Sequence, residues 1–230
     1  FLLGLRSRLS AHALGGLKAH MRTLLRDGDA APFLRAAAQA VPLFDDVLRD
    51  RTLSGGKLEE AMQGKLFALS LMALGPRELL DRDAVVRQEE RMARQGRERR
   101  GYVDITFGPP HTPAAMVELK AVPLGAKGRQ RRIANMLGAS DPDLPALAAR
   151  LAELDDDAVL AALPDAAKAM EEAEAQVAAY GGKWEPGHKP RRFAAVLVGW
   201  NRLLVKEVTG VSRPTEAAPA EAEAEAEARP

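Results

Sequence analysis

The run Phe193-Ala-Ala-Val-Leu-Val-Gly199 is apolar at every position, without the alternation of a strand that keeps one wet face. A run of this kind reads as the central strand of a sheet, buried on both sides. It places the chain among the α/β folds, and the remaining sequence must supply the neighbouring strands and the cover.

Strand neighbours are found by their period. Gly101-Tyr-Val-Asp-Ile-Thr-Phe107 alternates, residues 84–92 and 115–122 have strand character, and residues 203–208 read as a final strand. Helices are expected over 2–26 and 31–50, then over 57–74 after the break at Ser54-Gly55-Gly56, with Leu58, Met62, Leu66, Leu69 and Met72 on a mostly buried face. Gly75-Pro76 ends that third helix. Residues 108–113, Gly-Pro-Pro-His-Thr-Pro, form a loop, and the Ala-, Asp- and Leu-rich stretch beyond 122 reads as loop and helices, the last over about 164–180. The order is helix, three strands, helix, two strands, behind a helical extension of residues 1–50, and no internal repeat is visible.

Charge divides along the chain. The whole sums to +1, from 33 Lys and Arg against 32 Asp and Glu. The end, PTEAAPAEAEAEAEARP, carries −4 and has nothing to bury, so residues 210–230 are expected to be a disordered acidic tail. Without it the body is +5, and its basic residues gather in two runs, Arg97, Arg99 and Arg100 before the alternating strand and Lys127, Arg129, Arg131 and Arg132 after the next, with Lys189, Arg191 and Arg192 as a third cluster. Such runs can track a phosphate backbone, or simply form a solvated hairpin and loop. The basic start, acid-free up to Asp27, has the look of a transit peptide or of a basic surface helix; we read it as the helix and expect a cytoplasmic or nuclear protein. The chain has no cysteine, so disulfides and thiolate metal sites are excluded. No apolar run is long enough to span a membrane. The four histidines are scattered without metal-ligand spacing, and Ser54 does not sit in a nucleophile elbow.

Alternation puts Tyr102, Asp104 and Thr106 on one face of their strand and Val103, Ile105 and Phe107 on the other. In the next strand Met116, Glu118 and Lys120 share a face. A hairpin then brings Asp104 to Glu118 and Lys120. Two carboxylates and an ammonium together are costly unless solvated or paired, and a hard divalent cation such as Mg2+ (or Mn2+) relieves that cost through oxygen ligands. At this spacing, two unrelated exposed acids on neighbouring strands would look the same.

The ordered set Asp104, Glu118-Leu-Lys120 and Gln176-Val-Ala-Ala-Tyr180 resembles the PD-(D/E)XK nuclease superfamily, in the subgroup similar to the RecB nuclease domain with its QxxxY motif. The helix segment Glu59-Glu-Ala-Met-Gln-Gly64 is similar to the acid-bearing helix of the branch that follows an AAA-ATPase-like domain in many uncharacterised proteins. The resemblance covers roughly residues 18–208. It implies a restriction-endonuclease-like αβββαβ core over residues 51–209 and a Mg2+-dependent nuclease acting on DNA, or less readily RNA. Asp104 and Glu118 would hold the metal, with Glu59 as a further acid. Lys120 would set the attacking water, and Gln176 and Tyr180 would support the site.

Three departures bear on that implication. Gln63 stands where the branch usually has His, and Tyr102 where it often has Arg. The link from Lys120 to Gln176 is long, marking an insertion over about 123–163. An inactive nuclease-fold module that binds nucleic acid or a protein is therefore the alternative. The branch also implies an AAA-ATPase-like domain in the parent protein; these 230 residues contain no Gly-x-x-x-x-Gly-Lys-Ser/Thr phosphate loop.

Overall fold

The computed structural model describes residues 9–40, 55–74, 86–94, 101–109, 111–123, 151, 153–181, 185, 187–199 and 202–209. The basic residues Arg97, Arg99, Arg100, Lys127, Arg129, Arg131 and Arg132, the second half of the helix expected over 31–50, and the acidic tail lie outside the described residues.

Among the described residues three helices come first. Helix α1 (Ala11–Asp27) starts at Ser10, whose Oγ accepts the Ala13 N–H at 3.0 Å. It ends at Gly28, where φ is 72° and the N–H bonds to the Leu24 carbonyl. A Cβ at Gly28 would also lie 2.7 Å from the Ala114 carbonyl oxygen, so glycine is required by approach as well as by backbone angle. Leu17, Met21 and Leu24, spaced four and three apart, give α1 its buried stripe. Helix α2 (Ala31–Ala40) buries Phe33, Leu34, Ala37 and Ala38. Helix α3 (Gly55–Ala73) buries Leu58, Met62, Leu66 and Leu69 as expected, but Met72 is only partly covered. Unexpectedly it also buries Gln63, Lys65 and Ser70.

The strands are β1 (Val86–Arg94), β2 (Gly101–Phe107), β3 (Ala115–Val122), β4 (Tyr180–Gly181), β5 (Arg191–Val198) and β6 (Arg202–Glu207). Helices α4 (Asp156–Ala162) and α5 (Pro164–Ala179) lie between β3 and β4. The sheet order is β4-β1-β2-β3-β5-β6. Among the described residues only the β3–β5 pairing is parallel, with Glu118 opposite Ala194 and Lys120 opposite Val196. A parallel neighbour needs a long crossover, which residues 123–190 supply. The fold class is thus α/β with an open mixed sheet.

Helices cover both faces. On one, α1, α2 and α3 meet Ile105, Phe107, Val117, Leu119, Phe193 and Leu197. The N-terminal helices expected as an extension therefore share the core with the sheet. On the other, Val159 of α4 and Ala166, Met170 and Ala173 of α5 meet Val122, Ala194, Val196 and Leu204. Helix α4 falls inside the expected insertion, yet part of it belongs to the core. The central strand β5 is buried from Phe193 to Val198, as its unbroken apolar run requires.

Polar contacts tie the helices to one another and to the sheet. Lys65, fully buried, donates Nζ–H to the Ala38 carbonyl at 2.9 Å, near the C-terminal end of α2 where carbonyls lack helical partners. Burial pulls its pKa down to about 7. Asp156 on α4 accepts from Arg202 at 2.7 Å and from Arg35 of α2 at 2.8 Å, and Arg35 also donates to the Val205 carbonyl at 3.0 Å. Asp156→Ala leaves both guanidiniums short of an acceptor; we expect it to lower stability by about 2 kcal/mol, read as a fall in the urea midpoint. An unchanged midpoint would show that the cluster is decoration.

Candidate active site

Strands β2 and β3 pair from Phe107 with Ala115 to Ile105 with Val117, and there the pairing stops. On the other side, β1 and β2 keep one antiparallel register, with Gln88 opposite Ile105 and Glu90 opposite Val103 on either side of Asp104. In a continued ladder the Leu119 amide would face Val103. Instead it donates to Oδ2 of Asp104 at 2.6 Å. The carboxylate thus sits on the amide between Glu118 and Lys120, bringing together the three residues expected to meet.

The simple alternation expected for β2 does not survive this parting. Val103 packs with Met116, Val177 and Tyr180 on the α5 side, whereas Ile105 and Phe107 pack against the N-terminal helices. Thr106, expected on a polar face, is fully buried.

Glu118 is buried, and Lys120 donates to its Oε1 at 3.0 Å. The second oxygen, Oε2, is buried and has no hydrogen-bond partner among the described residues. Burial, with the Asp104 charge added, pushes the Glu118 pKa up to about 7, against the opposing pull of Lys120 and the Tyr180 phenol. Glu59 on α3 reaches Lys120 at 3.7 Å, and burial raises its pKa too. For Lys120, burial works against the ammonium, but Glu118, Glu59 and Asp104 together outweigh it and raise its pKa. Lys120 is held in its charged form beside three acidic side chains.

Helix α5 contributes unevenly. The pair Gln176 and Tyr180 was expected on one helix face, but α5 ends at Ala179 and Tyr180 turns into an extended backbone, φ −73° and ψ 127°, pairing with Arg94 as the start of β4. Its buried ring reaches Glu118, while Gln176 stays half-buried on the helix and bonds none of Asp104, Glu118 and Lys120 among the described residues. Two further residues belong to the arrangement. Arg192 donates to the Ala178 and Tyr180 carbonyls at 3.3 and 2.9 Å, closing the C-terminal end of α5 and fixing where Tyr180 leaves it. Gln63, one turn beyond Glu59, donates Nε2–H to the Asp104 carbonyl at 3.1 Å. Gln63 drew notice in the sequence only as a departure from His; Arg192 was visible only as one member of a basic cluster with Lys189 and Arg191.

The acids around the parting, Asp104, Glu118 and Glu59, offer oxygen, and the orphaned Glu118 oxygen with its raised pKa suits a hard cation held by Asp104 and Glu118. Among the described residues, no set of three or more Asp, Glu or His side chains is arranged to hold a metal ion. Among them too, no helix is long and apolar enough to cross a membrane. No family model matches the chain, and neither a curated protein nor a solved structure does.

Folded Glu118 holds its proton up to about pH 7, against an ordinary value of 4.5, so the fold loses stability as pH rises through that window. In metal-free buffer Glu118→Gln should therefore be more stable than the parent above pH 7, with the gain vanishing below about 4.5. Thermal midpoints across pH test this, and a gain that grows toward acid would refute it.

Proposed function

We propose that the chain is a Mg2+-dependent phosphodiesterase acting on nucleic acid, with DNA the preferred substrate. The observation that carries this reading is the meeting of Asp104, Glu118 and Lys120 where β2 leaves β3, with the Asp104 carboxylate on the amide between the other two.

A bound divalent ion supplies countercharge for the scissile phosphate and acidifies the attacking water. Asp104 and Glu118 would hold that ion through oxygen, as Mg2+ prefers, with Glu59 close by as a further acid. The Lys120 ammonium, kept charged by its three acidic neighbours, would orient the water and offset charge gathering on the phosphate oxygens. Tyr180 holds Glu118 in place, and Arg192 holds the turn that delivers Tyr180. The basic residues Arg97, Arg99 and Arg100, which precede β2, and Lys127, Arg129, Arg131 and Arg132, which follow β3, would meet the phosphate backbone.

One observation favours a second reading, a module that binds without cutting: the described residues include no closed set of three metal-ligating side chains. The two readings separate in one experiment. Labelled single- and double-stranded DNA and RNA are incubated with the chain plus Mg2+, Mn2+ or EDTA. Cleavage should need the metal and fall by about a hundredfold or more in Asp104→Ala and Lys120→Ala. Binding without cleavage, indifferent to Lys120→Ala, would favour the binding module.

A further inference from the structure

We infer that Glu59 is a positioning residue for the Lys120 ammonium and not a third metal ligand; the inference rests on the nuclease reading above.

The ammonium lies between two acids that come from different elements. Lys120 Nζ is 3.0 Å from Oε1 of Glu118, two residues before it on β3, and 3.7 Å from Oε1 of Glu59, which reaches in from α3. A lysine ends in three donors on a flexible four-carbon stem, so a single acceptor leaves its direction open and a second one from another element closes it. The two acids differ in setting. The Glu118 side chain is 4% exposed, and its Oε2 has no hydrogen-bond partner among the described residues, which suits a ligand to a cation. The Glu59 side chain is 28% exposed, and its carboxylate is met by the Lys120 ammonium and the Ala121 amide.

Asp104, Glu118 and Glu59 all belong to the described residues, among which no three such side chains are arranged to hold one metal ion. A Mg2+ ion bound by two protein carboxylates is ordinary, since it keeps several waters. The proposed site thus needs no third acid, and Glu59 answers a different need. If the Glu118 oxygens turn to a metal, Lys120 gives up an acceptor on its own strand, and Glu59 keeps the ammonium beside the reacting group. Misplacement of such a group by about 1 Å is enough to cost on the order of a hundredfold in rate. Helix α3 is a firm base for this hold: Leu58 and Met62 beside Glu59 are buried, and Lys65 fastens the helix to the Ala38 carbonyl of α2.

The test compares the parent chain with Glu59→Met and Glu59→Gln, and with Asp104→Asn as the reference for a lost ligand. It uses Mn2+ binding by calorimetry, steady-state cleavage of DNA, and the Lys120 Cε resonance in metal-free buffer. Asp104→Asn should lose Mn2+ affinity about tenfold or more, whereas Glu59→Met, which removes only a nearby part-exposed charge, should stay within about threefold of the parent. Glu59→Met should still lower kcat about tenfold or more with KM for DNA unchanged, and should move the Lys120 resonance. Glu59→Gln keeps an acceptor oxygen and should restore most of kcat. A loss of Mn2+ affinity in Glu59→Met that matches Asp104→Asn overturns the inference, and so does a parental kcat with an unmoved Lys120 resonance. If Glu59→Met does not fold, Glu59→Gln decides on the metal: parental Mn2+ affinity supports the inference and a loss that matches Asp104→Asn overturns it. If the parent neither binds Mn2+ nor cuts nucleic acid, the nuclease reading fails. The Lys120 resonance then decides the positioning role alone: a shift in Glu59→Met supports it and no shift overturns it.

Discussion

Where β2 leaves β3, the Leu119 amide exchanges a strand partner for the carboxylate of Asp104. A backbone donor inside a fold cannot go unanswered, because burying it without a partner costs a few kcal/mol. The parting is therefore tolerable only because an acid occupies it, and the acid is held in place by the amide it satisfies. The rest of the arrangement follows from this exchange. Glu118 and Lys120 flank the amide, the opened wedge admits the Tyr180 ring from one side, and α3 closes the other with Glu59 and Gln63.

That geometry concentrates negative charge where water is scarce. Glu118 and Glu59 both bind protons more readily than exposed glutamates, for the same reason: burial penalises the ionised form. The pair of Glu118 and Lys120 does not cancel the load, since Asp104 adds to it. Stability is given up at this one place while the sheet and two apolar layers around it supply the surplus.

Much of this was legible in the sequence, and the failures have physical causes. The strands could be read because period two survives wherever one face is wet, and because β5 is apolar throughout. Asp104, Glu118 and Lys120 could be brought together from alternation and a hairpin alone. The alternation of β2 failed beside Asp104, where β3 parts from it beyond Ile105 and Val117, which no pattern of residue types records. On α3 the pattern of large apolar residues found the inner face but not Lys65 or Gln63. That helix is covered by two others as well as by the sheet, and polar side chains are buried wherever a carbonyl waits for them. Tyr180 looked helical because Gln176 four residues earlier suggested it; the helix ends one residue sooner, and the ring arrives at Glu118 from a strand.

The clasp of Arg35 and Asp156 has a consequence beyond holding helices together. It meets β6, the last strand of the sheet, on its outward side at Val205: the guanidinium takes the carbonyl, and the carboxylate lies 3.5 Å from the amide nitrogen. Those two groups are the ones an incoming chain would need for strand addition. One salt bridge, with one partner from each helical layer, thus leaves the border of the sheet a poor template at its midpoint. Growth into fibrils or swapped dimers along β6 is discouraged by the same charges that fasten α2 to α4.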